Sequence, residues 1–150
     1  MKTFFTIIAV CISFLSYGQS TFVTLASNKL EVPAGCTIES ELKVRCDDYE
    51  VGWLYGDKQK VQGLQDSFLE LSEMFGKSQK KRFDFYLFDK KVKGYKVSYQ
   101  SDTKTVYQLT ASGVVNNEPV WILVTLNKEP ITNNDLPLFV SQIIKFSEKR

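Results

Sequence analysis

The segment that decides the fold runs from residue 82 to residue 127 and reads RFDFYLFDKKVKGYKVSYQSDTKTVYQLTASGVVNNEPVWILVTLN. It holds four runs of β-branched and aromatic residues, which are the residue types that strands favour. Only short polar stretches separate the runs, and short connections favour antiparallel neighbours. We therefore expect four antiparallel strands over residues 82–89, 94–101, 104–113 and 118–127, joined by turns at KKVK, DT and VNNE.

Shorter extended segments precede these four strands. TFVTLAS at residues 21–27 and NKLEVPAG at residues 28–35 are predicted to be two short strands. In ELKVRC (41–46) and EVGWLYG (50–56), apolar and polar residues alternate, which is typical of a strand with one buried face. The two aspartates between these segments are turn residues, so the segments should form a hairpin.

A first helix is predicted between Asp57 and Phe75, where apolar residues recur every three or four positions. Gly76 follows at the place where a C-terminal cap is expected. The residues expected on the buried face of this helix are Val61, Leu64, Phe68, Leu71 and Phe75.

A second helix is predicted near the C-terminal end of the chain. Asn134 or Asp135 is in position to cap its N-terminus, and Pro137 fits its first turn. The expected apolar stripe consists of Leu136, Phe139, Val140, Ile143, Ile144 and Phe146.

These elements together predict an α+β fold, with an antiparallel sheet of about six strands and two amphipathic helices packed on it. Residues 19–150 have the length of one ordinary domain. No repeat, low-complexity tract or linker divides them. We expect residues 19–150 to form a single α+β domain.

The first 18 residues resemble a secretory signal peptide. A basic residue, Lys2, precedes an apolar run from Phe4 to Tyr17, and small residues stand at Ser16 and Gly18 before a plausible cleavage site. The run is shorter than the roughly 20 residues that a membrane-spanning helix needs. We therefore expect residues 1–18 to be removed, the protein to be exported to the periplasm or secreted, and the mature chain to have no transmembrane segment.

Cys36 and Cys46 are the cysteines that remain after this cleavage. Export implies an oxidising compartment, in which paired cysteines usually form disulfides. A zinc site needs about four ligands, and the chain has no histidine. A thioredoxin-like site needs a C-x-x-C spacing, which this pair lacks. We predict a structural disulfide and no metal site, with two buried free thiols as the alternative.

Several classes of catalysis are excluded by the composition. Without histidine, Ser-His and Cys-His nucleophile systems and histidine metal triads are impossible. The chain also lacks G-x-S-x-G, G-x-G-x-x-G and phosphate-loop motifs. We expect no cofactor. A carboxylate pair of the glycosidase type remains open, with Asp47, Asp48 and Glu50 as candidates.

Charge is distributed unevenly along the chain. Residues 77–96 carry a net charge of +6, whereas residues 19–76 carry −5. The basic residues are Lys77, Lys80, Lys81, Arg82, Lys90, Lys91, Lys93 and Lys96. They predict a surface for an anionic partner, either an unknown protein or an anionic envelope component such as a polysaccharide or lipid headgroup. The alternative is a solvated face whose lysines protect edge strands from aggregation.

The position of these residues limits the prediction of a single patch. With a turn at KKVK, the clusters at residues 80–82 and 90–93 should lie at opposite ends of one strand, some 20 Å or more apart. Nucleic acid is not expected as the partner, because export removes the usual target and the aromatic residues alternate as core positions do.

The order of elements resembles the Mog1/PsbP-like α/β/α sandwich. The resemblance runs from KLEVPAGCTI (29–38) through a helix and several long strands ending in VVNNEPVWILVTL (114–126) to the closing segment ITNNDLPLFVSQIIKFSEK (131–149). It covers most of the chain after residue 18 and carries over no functional residue. Proteins of that fold are mostly non-catalytic binding or assembly factors, so the resemblance implies such a role.

Two functional hypotheses therefore follow from the sequence. The first is an exported, non-enzymatic binding or assembly/accessory protein. The second is a carboxylate-dependent hydrolase that acts on cell-wall or glycan material.

Overall fold

The structure is a computed structural model that describes residues 21–147. The predicted signal peptide, residues 1–18, and residues 148–150 lie outside this described part. Within it, the strands are β1 (Phe22–Leu25), β2 (Asn28–Glu31), β3 (Thr37–Ser40), β4 (Lys43–Arg45), β5 (Tyr49–Tyr55), β6 (Gln79–Leu87), β7 (Lys90–Gln100), β8 (Thr105–Val115), β9 (Glu118–Leu126) and β10 (Ile144–Phe146). The helices are α1 (Lys58–Ser72), a 3-10 turn (Asn133–Asp135) and α2 (Leu138–Ile143).

One curled antiparallel sheet dominates the molecule. Its eight strands follow the order β10-β6-β7-β8-β9-β5-β4-β3 and form a half-barrel. Strands β1 and β2 form a separate hairpin. The α+β class with an antiparallel sheet is thus confirmed, although the main sheet has eight strands where about six were expected.

The hydrophobic core lies on one face of this sheet. Alternate side chains of a strand point to the same face, and on this face they are fully buried, as for Val51, Leu109 and Ile122. Leu25 of the β1–β2 hairpin and Phe139 of α2 belong to the same cluster. The hairpin and α2 therefore cover the core face.

Helix α1 packs on the opposite face of the sheet, across β8 and β9. Its Phe68 ring lies 6.0 Å from Trp121 of β9. This interface is partly polar, since Gln65 of α1 and Gln108 of β8 are both buried. The face that carries α1 is called the outer face below.

The strand boundaries of the second half differ from the expectation at one turn. The segment KKVK was predicted to be a turn, but β7 begins at Lys90, and the turn consists of Phe88 and Asp89. Phe88 has a positive φ of 53°, a conformation that its residue type seldom adopts. The other three strands of this half and the β4–β5 hairpin are confirmed.

The first helix is confirmed, and of its predicted buried face Val61 is buried and Leu64 and Phe68 are half-buried, but its end and the last two residues of that face were predicted incorrectly. Asp57 accepts a hydrogen bond from the Lys60 amide (2.8 Å) and caps the N-terminus. The helix ends at Ser72, because residues 73–75 donate to carbonyls three positions back, so Gly76 is no cap. Leu71 is 57% exposed and Phe75 48% exposed. The buried side chains are Val61, Gln65, Leu69 and Ser72.

The second helix is shorter than the apolar stripe suggested. It ends at Ile143, and residues 144–146 form β10, which pairs with β6. In this strand Ile144 and Phe146 are buried and the residue between them is exposed, a period of two that fits a strand. Asp135 caps the turn before the helix rather than the helix itself, since it accepts from the Thr132 amide (2.7 Å). Among residues 21–147 no helix is long and apolar enough to span a membrane.

Candidate binding surface at the edge of the sheet

Strand β6 is paired along only part of its length on the side away from β7. The three residues of β10 pair with Phe85–Leu87, and the amide of Ser147 then donates to the Asp84 carbonyl oxygen at 2.9 Å. Within residues 21–147, no strand pairs with Gln79–Asp84 on that side. This segment is called the free edge of β6.

Basic side chains gather on the outer face beside this edge. Cross-strand pairing places Lys145 and Lys91 on either side of Tyr86. The next pair along on the same face is Asp84 with Lys93, followed by Arg82 with Tyr95. We call this surface the basic face; it consists of Arg82, Asp84, Tyr86, Lys91, Lys93 and Lys145.

The basic face has one carboxylate, and that carboxylate is already paired. Asp84 lies 3.1 Å from the Lys91 ammonium. Among residues 21–147, no side chain pairs with Arg82 or Lys93, and both are exposed. These two cationic groups are therefore free to bind a partner's anions, and Lys145, exposed and without an ion pair in the same described part, is a third.

The expectation of two separate basic clusters needs a correction at one residue, Lys93. Because the turn is at Phe88 and Asp89, Lys93 lies within β7 directly opposite Asp84. The next pair on the same face is Arg82 with Tyr95, so Lys93 lies close to Arg82. Lys90 and Lys91 remain opposite Leu87 and Tyr86, at the other end of β6 from residues 80–82, so Lys93 alone approaches the first cluster. The predicted separation assumed that Lys93 was part of a turn.

Most of the other predicted basic residues contact side chains close to them in the structure and lie outside the basic face. Lys80 pairs with Glu73, and Lys90 lies 3.4 Å from Asp89. Lys81 lies over the Phe83 ring, 5.2 Å from its centroid. Lys77, in the turn that precedes β6, is exposed and outside the basic face.

Lys96 is the most buried of the basic residues. Its side chain is only 15% exposed, and its ammonium pairs with Glu129 at 2.6 Å. It also donates to the Pro130 carbonyl at 3.3 Å and lies 5.7 Å from the Phe83 centroid. These contacts hold the chain at residue 130 against the core side of β6 and β7, so Lys96 is a structural residue.

A groove of about 1380 Å³ runs along the free edge of β6. Its lining residues combine cations, aromatic rings and polar groups. They are Lys81, Arg82, Phe83, Asp84, Tyr86, Lys91, Lys93, Ile131, Thr132, Asn133, Phe146 and Ser147. We call it the edge groove.

The wall of the edge groove opposite the basic face is anchored by Asn133. Its amide nitrogen donates to the Phe146 carbonyl (3.0 Å), and its oxygen accepts from the Phe146 amide (2.7 Å). Phe146 packs edge-on against Phe83, with ring centroids 5.4 Å apart. Asp135 holds the start of this wall by accepting from the amides of Ile131 and Thr132, and these bonds lower the pKa of its carboxyl.

The predicted disulfide is present. Cys36 and Cys46 are bonded, with their Cα atoms 4.2 Å apart. The bond joins the start of β3 to the end of β4, at the far edge of the sheet from the edge groove. Tyr49 packs beside it, its hydroxyl 3.7 Å from the Cys36 sulfur, and burial raises the pKa of that hydroxyl.

The candidate acids are not gathered in one groove. Asp47 and Asp48 are exposed in the β4–β5 turn. Glu50 forms an ion pair with Lys43, at 3.3 Å. Lys43 also donates a hydrogen bond to Glu39, and this bond raises the pKa of the Lys43 ammonium. A mainly apolar groove of about 350 Å³, lined by residues of β3, β4, β5 and β9, includes Glu50 in its lining but neither aspartate. In the described part of the chain, no group of three or more acidic or cysteine side chains is placed to hold a metal ion.

Sequence reasoning missed two parts of the candidate binding surface, which are Lys145 of the basic face and the wall of the edge groove at residues 131–133. Lys145 falls within the apolar stripe that predicts a helix, and its alternation with the buried Ile144 and Phe146 is the available signal for a strand. The wall at residues 131–133 had no signal, because only tertiary contacts bring it to β6. In comparisons with known proteins, no protein-family model and no curated protein matches the chain.

Proposed function

We propose that this chain is an exported, non-enzymatic binding or accessory protein that engages an anionic partner through the basic face and the edge groove. The observation that carries the proposal is the composition of this site. Lys81, Arg82, Lys91 and Lys93 surround the groove, and its one carboxylate is already paired. The groove therefore has an excess of positive charge next to exposed aromatic surface.

Arginine at the rim makes the site suited to carboxylates and other oxyanions. A guanidinium presents a planar set of donors that binds a carboxylate through two parallel hydrogen bonds. Arg82 has its guanidinium free on the surface, and Lys93 lies on the same face one residue pair away. Tyr86 is 39% exposed between two lysines and adds a flat surface for contact.

Export is the second part of the proposal. It is supported by the leader-like composition of residues 1–18 and by the disulfide, since disulfides persist mainly in oxidising compartments. The resemblance in element order to the Mog1/PsbP-like sandwich favours a binding role over catalysis. The hydrolase alternative has no comparable support, because its three candidate acids do not line a common groove.

A charge reversal tests the anionic-partner proposal. The variant Arg82→Glu with Lys93→Glu should bind heparin and poly-L-glutamate at least about tenfold more weakly than the unmodified protein, the equivalent of about 1.4 kcal/mol. The matched control is Lys58→Glu with Lys128→Glu, which changes the net charge equally at exposed positions away from the groove. Binding is measured by titration calorimetry at two salt concentrations.

The salt series separates a local site from general charge. Binding should weaken as salt rises, since the Debye length falls from about 10 Å at 0.1 M to about 3 Å at 1 M. Equal losses in the two double variants would contradict a localised site. Absence of binding to either polyanion would return the lysines to a solubilising role at an edge strand.

A further inference from the structure

We infer that the free edge of β6 binds an extended acidic segment of a partner protein as an added β-strand. The inference rests on the proposed function and names its partner class. Three observations support it. They are the direction in which the backbone amides and carbonyls of β6 point, the position of the edge groove, and the alternation of side chains along the free edge.

The backbone of the free edge presents unpaired hydrogen-bonding groups. In an antiparallel sheet, the amide and carbonyl of every second residue point to the same side of the strand. The Asp84 carbonyl accepts from Ser147 on the β10 side. The amides and carbonyls of Arg82 and Lys80 therefore point to that side too, where no strand of residues 21–147 pairs with them.

The edge groove occupies the space in which the next strand would lie. It begins at Ser147, where the pairing of β10 with β6 ends, and continues past Arg82. The wall at residues 131–133 bounds it on the core side, held there by the hydrogen bonds of Asn133 to Phe146. The free edge has six residues, so it is about 20 Å long, enough for one short strand.

The two faces of the edge differ in chemistry, which predicts the sequence of the added strand. On the outer face it would meet the free cations of Arg82 and Lys93, and beside them Lys80, which already pairs with Glu73. On the core side it would meet Phe83, Phe146 and Ile131, the last of which is 72% exposed. Because strand side chains alternate between faces, the partner segment should alternate acidic and apolar residues.

A second copy of this chain does not fit the edge. Two free edges paired together would bring Lys80, Lys81 and Arg82 against the same residues of the other copy, and opposed like charges destabilise strand pairs. A polysaccharide or a lipid headgroup would use the cationic side chains but cannot complete a strand ladder. The unpaired backbone therefore favours an acidic peptide.

The first experiment compares three peptides of equal composition and charge. The first peptide alternates glutamate and valine over seven residues, and the second has the same residues in two blocks. The third is the alternating peptide with an N-methyl group on every second amide, namely on those amides that would face β6. The alternating peptide should bind at least about tenfold more tightly than either of the others, because only it provides both the pattern and the backbone donors. In its complex, hydrogen exchange at the amides of Lys80 and Arg82 should slow.

The second experiment alters the protein backbone. Arg82→Pro removes the amide that points to the free edge without removing a bond to β7, whereas Arg82→Val removes the same charge and keeps the amide. The proline variant should bind the alternating peptide at least about fivefold more weakly than the valine variant. Circular dichroism melting checks that both are folded, and the N-methylated peptide tests the same bond without changing the protein.

The outcomes separate this inference from the proposed function. Salt-sensitive binding of poly-L-glutamate with no effect of N-methylation would overturn strand addition and leave the anionic site intact. Tighter binding of heparin, or of phosphatidylglycerol vesicles, than of any peptide would overturn the choice of a protein partner. Binding of none of these probes would overturn both.

Discussion

At the scale of single residues, the disulfide is the clearest constraint on stability. Cys36 and Cys46 are ten positions apart and tie the edge strand β3 to the end of β4. Neither strand has more than four residues, so their pairing alone contributes little cooperative stability. The cross-link limits the freedom of this edge in the unfolded chain.

Replacing Cys46 by serine should lower the free energy of unfolding by about 3 kcal/mol on the chain-entropy estimate for a loop of this length. Urea unfolding of Cys46→Ser, compared with the oxidised and the reduced unmodified protein, measures it. The reduced protein is the matched control, because it loses the same cross-link without a substitution. Equal stability of all three would show that the bond is absent in the native protein. Polyanion binding should not change, because the edge groove is at the opposite edge of the sheet.

Gly94 of β7 is a second residue whose identity is fixed by its surroundings. A Cβ atom there would lie 2.3 Å from the Thr110 carbonyl oxygen and 2.8 Å from the Phe85 ring. Backbone and a fully buried ring cannot yield by that much, so Gly94→Ala should destabilise the protein by about 3 kcal/mol. Gly63→Ala is the matched control, since nothing lies within 4 Å of its Cβ position on α1. It should stabilise the protein by about 1 kcal/mol through helix propensity, and the same sign for both would contradict this packing.

At the scale of elements, the sequence identified the long strands and failed at their junctions. The runs of β-branched and aromatic residues in β8 and β9 predicted them correctly, because both their faces are largely covered. The β6–β7 turn was misplaced because Phe88 occupies a positive-φ position that glycine or asparagine would have signalled. Strand β10 was read as helix because its three residues continue the apolar stripe of α2. Such junctions are set by tertiary pairing, which local patterns do not report.

The segment before α2 is an element whose order depends on one carboxylate. Asp135 accepts hydrogen bonds from the amides of Ile131 and Thr132, and these bonds lower its pKa. A lowered pKa means that the stabilisation is fully present above the ordinary aspartate value of about 3.9 and is lost as pH falls through the lowered value. The amide signals of both residues should therefore shift together with a midpoint below about 3.9 in an NMR pH titration.

The control for this titration is Asp135→Ala, in which the amide signals of Ile131 and Thr132 should lose that transition. A midpoint at or above the ordinary aspartate value would contradict the hydrogen bonds. Because residues 131–133 form one wall of the edge groove, the Ala variant should also weaken peptide binding while leaving the basic face unchanged.

At the scale of the whole molecule, the candidate site was only partly visible in the sequence. The excess of positive charge over residues 77–96 pointed to the β6–β7 hairpin, which carries the proposed site. Which of those cations are free could not be predicted, because Glu73 and Glu129, which pair with Lys80 and Lys96, lie on other elements. The free edge is likewise a property of the fold, since it exists only where β10 stops pairing with β6.

Export connects the disulfide and the proposed partner, because both depend on the compartment in which the protein resides. If residues 1–18 are a signal peptide, native protein should begin at or near Gln19 and be recovered outside the cytoplasm. N-terminal sequencing of envelope and culture fractions tests the start. Intact mass before and after reduction should differ by two hydrogen atoms, as expected for one disulfide. An intact Met1 on reduced, cytosolic protein would contradict export and remove the oxidising compartment on which the bond depends. A cytosolic location would also change the anionic partners that the basic face could meet, so this measurement should precede the choice of native material for binding experiments.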